Sequence, residues 1–122
     1  MDLNNYWQAV LRQDADALRK FFHPEAYVRW HNTNEHFTAD EFIRVNCEYP
    51  GRWEGEVERI EEWGETVITA AHVYALDEPL SFHVVSFLKI KDGRILAIDE
   101  YWGDDGQPPQ WRRKKQIGKA IK

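Results

Sequence analysis

The segment Lys91–Asp105, with the sequence KDGRILAIDEYWGDD, constrains the fold most strongly. Asp92 and Gly93 favour a tight chain reversal, because glycine reaches the left-handed backbone conformation without steric cost. Apolar residues flank this turn, so the segment predicts a β-hairpin whose second strand carries Glu100 and Trp102. Residues two apart on a strand share one face of the sheet. The carboxyl group and the indole therefore look into the same space, which we expect to be a pocket.

The length of the turn decides which side chains meet across this hairpin. A three-residue loop, Lys91 to Gly93, pairs Ile90 with Arg94. One face of the hairpin then contains Phe82, Val84, Ser86, Leu88, Leu96, Ile98, Glu100 and Trp102. A two-residue loop shifts the pairing by one residue and brings Glu100 beside His83 instead.

Helical patterns occupy the first half of the chain. Apolar residues recur at helical spacing in a first helix, and they are Leu3, Tyr6, Trp7, Val10 and Leu11. Asp14 is suited to cap a second short helix, which we expect to continue to Phe22. Thr38 and Glu41 have the spacing of a capping box and start a third helix, which runs to about Glu48.

Strand patterns dominate the second half. Apolar alternation and β-branched residues predict strands at residues 26–30, 56–63, 66–75, 80–90 and 96–102. Gly64 and residues 77–79 mark reversals between them. Helices followed by an antiparallel meander predict an α+β fold, in which a curved sheet wraps around the helices.

Charge divides the chain into two parts. The 122 residues carry a net charge of −5, but six of the 16 basic residues lie in residues 112–122, which contain no acidic residue. We predict one domain over residues 1–111 and a basic C-terminal tail over residues 112–122. A short terminal charge run is usually solvated, and the acidic domain repels phosphate groups, so we expect no nucleic-acid partner.

Several other kinds of site are not indicated by the sequence. No apolar run approaches the roughly 18 residues of a membrane span, and the first residues lack a basic signal-peptide start, so we expect a cytoplasmic protein without a membrane partner. Cys47 is the single cysteine and excludes an internal disulfide. The five histidines show no ligand spacing such as HExxH, so the sequence predicts neither a metal site nor a cofactor.

The order of these features resembles the nuclear transport factor 2-like superfamily, particularly its SnoaL-like and ketosteroid isomerase-like members. The resemblance covers about residues 3–103 and includes the early VRW strand before a capped helix, the DGRI turn and the closing EYW. It implies a cone-shaped, cystatin-like fold, with N-terminal helices on a strongly curved mixed or antiparallel sheet, a pocket in the mouth and frequent homodimers. It does not imply one function, because the same cone serves many chemistries.

Comparison with the ketosteroid isomerase pattern favours the three-residue loop, because it places Glu100 and Trp102 on the pocket side. The resemblance puts Tyr6 where these isomerases carry an oxyanion-hole tyrosine. Trp30 stands where they have the general-base Asp, and Ser86 stands where they have a second, protonated Asp. Since that reaction needs both acids, we predict that the protein is not a ketosteroid isomerase.

Glu100 is the candidate proton carrier, and Tyr6 is the candidate hydrogen-bond donor. A carboxyl group among aromatic side chains is poorly solvated, which raises its pKa and suits proton exchange near neutral pH. The residues expected to bind the ligand are Trp30, Asn46, Tyr49, Trp53, Glu56, Phe82, Val84, Ser86, Ile98 and Trp102.

The sequence leaves the class of function open. One reading is an enzyme with isomerase, cyclase or hydrolase chemistry on a small, largely apolar substrate. Another is a non-enzymatic binding protein for such a molecule, and a third is a dimeric adaptor. We also predict a homodimer through the outer sheet face, because an exposed apolar patch is commonly covered by a second copy. That face is expected to contain His83, Val85, Phe87, Ala97, Asp99 and Tyr101.

Overall fold

Side-chain caps define where the helices begin. The computed structural model describes residues 1–122. Its helices are α1 (Leu3–Arg12), α2 (Ala15–Arg19), α3 (Ala39–Glu48) and the short α4 (Gln110–Lys114). Asp2 and Asp14 accept hydrogen bonds from backbone N–H groups in the first turns of α1 and α2. Thr38 and Glu41 form the predicted capping box, with hydrogen bonds of 3.2 and 2.9 Å. These caps satisfy donors that a helix leaves unpaired.

Six strands form one sheet, and they are β1 (Phe22–Trp30), β2 (Glu35–Thr38), β3 (Trp53–Trp63), β4 (Thr66–Ala75), β5 (Ser81–Lys91) and β6 (Arg94–Asp104). The spatial order is β2-β1-β6-β5-β4-β3. Only β1 and β6 run parallel, and every other neighbouring pair is antiparallel. The sheet is therefore mixed, and the predicted α+β cone is confirmed.

Two elements at the start of the sheet differ from our predictions. The second helix ends at Arg19, and Phe22 already opens β1 instead of continuing the helix. Pairing with β6 explains this difference, because Phe22 lies beside Ile95 and the carbonyl of Phe21 accepts from the N–H of Ile95, while Pro24 keeps His23 extended. The four-residue strand β2 was missed, since only Phe37 among its residues is buried and its sequence has the polarity of a loop.

The main core lies between the helices and one face of the sheet, which we call the concave face. Its most deeply buried members, at 0% exposure, include Leu18, Val28, Leu88, Ile95 and Ile98. Helix α3 packs against β1 and β2, and α1 packs beside β3. Each such aliphatic side chain contributes roughly 1.5–3 kcal/mol by leaving water. The longest helices have ten residues, and none has the length and apolarity for a membrane crossing.

The turn between β5 and β6 is tighter than predicted. Lys91 pairs with Arg94, and the two residues between them, Asp92 and Gly93, have φ angles of 52° and 76°. Positive φ at both central positions is the geometry of a two-residue hairpin turn. A β-bulge at Leu96 follows, so β6 contains one residue without a partner in β5.

The bulge restores the predicted faces of the hairpin. Beyond it, Ser86 lies opposite Glu100 and Val84 lies opposite Trp102. The three-residue loop was therefore wrong, and so were the exact partners, which are displaced by two residues. The assignment of faces was right, because the shorter turn and the extra strand residue each shift the pairing by one residue, and a total shift of two residues returns Glu100 and Trp102 to the predicted face.

Candidate functional site

A cavity of about 290 Å³ opens between α1, α3 and the concave face of the sheet. Eleven of its 17 lining residues are hydrophobic. The aromatic ones are Tyr6, Trp7, Trp30, Phe42, Tyr49, Trp53, Phe82 and Trp102. Ligand pockets in proteins measure roughly 300–1,000 Å³, so this cavity suits a small, largely apolar molecule.

Glu100 is the buried acid of the cavity, with 2% of its surface exposed. Its position on β6 places it beside Trp30 in the parallel β1–β6 pair and opposite Ser86 in the antiparallel β5–β6 pair. Both neighbours donate to its carboxyl group, the Trp30 indole at 3.0 Å and the Ser86 hydroxyl at 2.5 Å. The two flanking strands thus fix the carboxyl group in one orientation.

Burial raises the pKa of Glu100 above its ordinary value, and the hydrogen bonds from Ser86 and Trp30 oppose this rise. Desolvation is the largest of these effects because the charged form loses its water. The indole of Trp102 lies close enough to lower the pKa slightly as well, although it makes no hydrogen bond with the carboxyl group. The protonated acid therefore persists to a higher pH than in a solvated glutamate.

Two hydrogen-bond donors in the cavity wall have no partner. The hydroxyl of Tyr6 and the indole N–H of Trp102 are both buried and make no hydrogen bond within the protein. Burial, and then the negative charge of Glu100, raise the pKa of Tyr6 well above its ordinary value, so its hydroxyl keeps its proton. Leaving a buried donor unpaired costs about 1–3 kcal/mol. The three groups together are suited to bind one oxygen acceptor of a ligand beside an acid.

The ends of α1 and α3 are locked together at the mouth of the cavity. Gln13 donates to the backbone carbonyls of Asn46 and Tyr49, at 2.9 and 2.7 Å. The amide of Asn46 donates to the carbonyl of Val10 at 3.1 Å. Trp53 donates to the carbonyl of Pro50 at 3.1 Å. The polar groups of Asn46 and Trp53 therefore hold the backbone, and these residues offer the cavity mainly their apolar surface.

Asn32 also lines the cavity, although it was not among the residues predicted to bind the ligand. Its side chain donates to the carbonyl of Trp102 at 2.5 Å and accepts from the N–H of Trp102 at 2.7 Å. It thus extends the pairing on β6 beyond the end of β1 and holds Trp102 in the wall. An Asn-rich segment is also what a turn requires, so the residue types in this loop do not distinguish this role from turn formation.

The structure brings most of the predicted site residues to the cavity wall, and these are Tyr6, Trp30, Asn46, Tyr49, Trp53, Phe82, Glu100 and Trp102. Val84, Ser86 and Ile98 share the concave face but are fully buried behind this wall. Glu56 is on the opposite face of the sheet, where it contacts His72 at 3.0 Å. Its placement in the pocket was wrong, because β3 aligns it with His72 and that pair projects outward.

The outer face of the sheet carries the apolar patch expected there. Val85, Phe87 and Tyr101 are 38%, 41% and 47% exposed. Ala97 differs from the expectation, because it is buried. Its strand lies in the middle of the sheet, and its partners in the flanking strands, Tyr27 and Lys89, have much longer side chains.

The mixed curved sheet, the helices on its concave face and the cavity between them are the fold of nuclear transport factor 2-like proteins. Residues 3–98 match the SnoaL-like domain, and the chain belongs to that family. None of the curated proteins matches the sequence.

Solved structures with this fold include several proteins of low sequence identity. A proposed ketosteroid isomerase from Kribbella flavida is 19% identical, with a TM-score of 0.81 over 98% of this chain and 87% of the other. An NTF-2 like protein of unknown function from Burkholderia xenovorans is 24% identical, with a TM-score of 0.79 over 98% and 92%. An LEH-like epoxide hydrolase from M. tuberculosis is 15% identical, with a TM-score of 0.71 over 83% and 79%. Similarity at these identities shows the fold.

Proposed function

We propose that the cavity is the active site of an enzyme that performs acid/base chemistry on a small, largely apolar molecule with one hydrogen-bond-accepting oxygen. The observation that carries this proposal is the convergence of Glu100 with the unpaired hydroxyl of Tyr6 and the unpaired indole N–H of Trp102. Apolar walls supply the affinity for the body of the molecule, and the two donors orient its oxygen.

The chemistry follows from the protonation states of these groups. Tyr6 and Trp102 donate to the substrate oxygen and stabilise negative charge that develops on it during the reaction. Glu100 moves the proton, because burial brings the pKa of its carboxyl group closer to neutral pH. Hydrogen bonds from Ser86 and Trp30 hold the carboxyl group in one orientation during this transfer.

The neighbours of Glu100 support a reaction other than ketosteroid isomerisation. Trp30 and Ser86 stand where the resemblance would require acids, and both donate to Glu100 instead. One buried acid remains in the cavity wall. The neighbour from M. tuberculosis is an epoxide hydrolase. An epoxide is an uncharged group with a single accepting oxygen, so epoxides and ketones with apolar bodies are the first substrates to test.

Glu100→Gln tests the proposal, because the amide retains the shape of the side chain but transfers no proton. With a panel of apolar epoxides and ketones, we expect turnover to fall by about 100-fold or more, as is usual for loss of a general acid or base. The dissociation constant of the ligand should change little. The control is Asp99→Asn, on the adjacent residue of β6, whose side chain contacts His31 on the outer face.

The alternative is a binding protein that holds the same kind of molecule without converting it. For a binding protein, Glu100→Gln would change only the affinity for the ligand. The parent protein would turn over none of the ligands that it binds. Mass spectrometry of molecules that co-purify with the protein identifies the ligand in both cases.

A further inference from the structure

Strand β6 carries three side chains into the cavity, one after another. Glu100, Trp102 and Asp104 lie two residues apart along the strand and share its concave face. Glu100 is buried, Trp102 is half-buried and Asp104 is exposed at the mouth. The strand therefore places one carboxyl group at the bottom of the cavity and a second one at its opening.

Asp104 differs from the other aspartates of β6 and its end, because its side chain has no partner. Asp99 contacts His31 at 2.7 Å, and Asp105 accepts a hydrogen bond from Ser81 at 2.6 Å. Both of these contacts are on the outer face of the sheet. No hydrogen bond or ion pair within the chain holds the side chain of Asp104. Its carboxylate is therefore free to contact a ligand at the mouth.

Aromatic rings flank the position of Asp104. Phe82 lies directly opposite it on β5. The ring of Phe82 contacts the rings of Trp53 and Trp102, with centroids 6.0 and 6.1 Å apart. All three rings line the cavity. Because the face of an aromatic ring attracts a cation, the mouth combines two kinds of group that stabilise positive charge.

The cavity contains no basic side chain that would offset its two acids. None of the 17 lining residues is Lys, Arg or His. Six of the 16 basic residues lie in the tail, so ten remain in residues 1–111 beside all 21 acidic ones. A cleft in such a domain attracts cations and repels anions. The charges therefore favour a ligand that is neutral or positively charged.

The two ends of the cavity suit different groups of one ligand. At the bottom, Tyr6 and Trp102 have unpaired donors, which require an accepting oxygen. At the mouth, the ionised carboxylate of Asp104 only accepts, so it requires a donor. Residues four apart on a strand are about 13 Å apart, and a hydrogen bond of about 2.9 Å at each end leaves about 7 Å for the ligand. A single ring with a short substituent at each end spans this distance.

We propose that Asp104, Phe82 and Trp53 form a subsite at the mouth of the cavity that binds an ammonium group of the substrate. This inference rests on the function proposed for the cavity and specifies the substrate class, an amine with an epoxide or ketone oxygen at its other end. The carboxylate supplies the opposite charge, and the rings cover the carbon atoms beside the nitrogen. Alkyl amines titrate near the pKa of Lys, about 10.4, so the group is charged at neutral pH.

Two ketones of nearly equal shape test the proposal by calorimetric titration at pH 7.5. In para-(aminomethyl)acetophenone, an ammonium group replaces the terminal methyl group of para-ethylacetophenone, so charge is the main difference between them. We expect the ammonium compound to bind about fivefold more tightly, because an exposed ion pair and a cation–π contact each add a modest factor.

Asp104→Asn should abolish this preference and leave the affinity for para-ethylacetophenone unchanged. Asp105→Asn is the matched control, because it removes the same charge from the adjacent residue, whose carboxylate contacts Ser81 outside the cavity. This control should keep the preference. Phe82→Leu retains an apolar side chain without an aromatic face, and it should reduce the preference by about twofold or more.

Turnover is measured separately, so the subsite and the proposed reaction can fail independently. Para-ethylacetophenone that binds as tightly as the ammonium compound would overturn the subsite and leave the reaction proposed for Glu100 standing. A preference that survives in Asp104→Asn would have the same consequence. Absence of binding of the ammonium compound to the parent protein would also overturn the subsite. Tight, Asp104-dependent binding without turnover of any ligand would support the subsite and contradict the proposed enzyme.

Discussion

Glu100 makes the stability of the protein depend on pH. Because burial raises its pKa in the folded state above the ordinary value of 4.5, the unfolded chain releases this proton first as the pH rises. As the pH rises from the ordinary pKa to the raised one, the free energy of unfolding therefore falls. Below the ordinary pKa this loss is absent. Glutamine at this position avoids the penalty and preserves both hydrogen bonds, since its oxygen accepts from Trp30 and its amide donates to Ser86.

We expect Glu100→Gln to melt at a higher temperature than the parent protein at pH 8 and at a similar temperature at pH 4. Thermal denaturation of both proteins at several pH values measures the difference. A gap that stays constant over this range would show that Glu100 titrates as a solvated carboxyl group.

Tyr6 and Trp7 are adjacent buried aromatic residues, but only the side chain of Trp7 makes a hydrogen bond. The hydroxyl of Tyr6 has no partner, while the indole of Trp7 donates to the buried hydroxyl of Thr69 at 3.2 Å. Tyr6→Phe should therefore leave the free energy of unfolding unchanged or raise it, and Trp7→Phe should lower it by about 1–3 kcal/mol. Denaturant titration distinguishes the two variants.

The same Tyr6→Phe protein should lose turnover by about 100-fold, as when one donor to a developing oxyanion is removed. Stability retained together with full turnover would assign Tyr6 to the core alone.

Among the elements, the end of β6 depends on the side chain of Asn32, whose hydrogen bonds take the place of pairing with a neighbouring strand. Asn32 makes two hydrogen bonds to Trp102, each with a net value of about 1 kcal/mol. We expect Asn32→Ala to increase amide hydrogen exchange at Trp102 and to weaken ligand binding. Thr33→Ala, at the next residue, is the control for exchange at Trp102, because the side chain of Thr33 makes no hydrogen bond to that residue. Unchanged exchange at Trp102 would show that the sheet holds it without Asn32.

An element could be predicted when the residues that determine it lie close together in the sequence. The caps at Asp14 and Thr38 were predicted from residues within one turn, and the faces of β5 and β6 were predicted from alternation. The bulge at Leu96 and the parallel pairing of β1 with β6 arise from contacts between distant segments, which one sequence does not display.

For the whole molecule, we predict a homodimer through the outer face of the sheet. Val85, Phe87 and Tyr101 form an exposed apolar patch there, and a two-fold axis lets one such patch cover its copy. Light scattering at micromolar concentration should give about twice the chain mass of 14.5 kDa. Phe87→Lys should yield the monomer, because it places a charge in the contact.

Trp63→Lys is the control for this prediction, because Trp63 is 84% exposed and lies at the far end of β3. A parent protein with the mass of one chain would contradict the homodimer, and dissociation by the Trp63 variant alone would place the contact elsewhere.

The tight turn and the bulge at Leu96 also limit how the gene for this protein can change in length. Loss of one codon within β6 would send Glu100 and Trp102 to the outside and bring Asp99 and Tyr101 into the cavity. A gain of one codon would do the same. Length changes in this part of the gene are therefore expected in compensating pairs, and relatives that lack the extra strand residue should have a turn that is one residue longer.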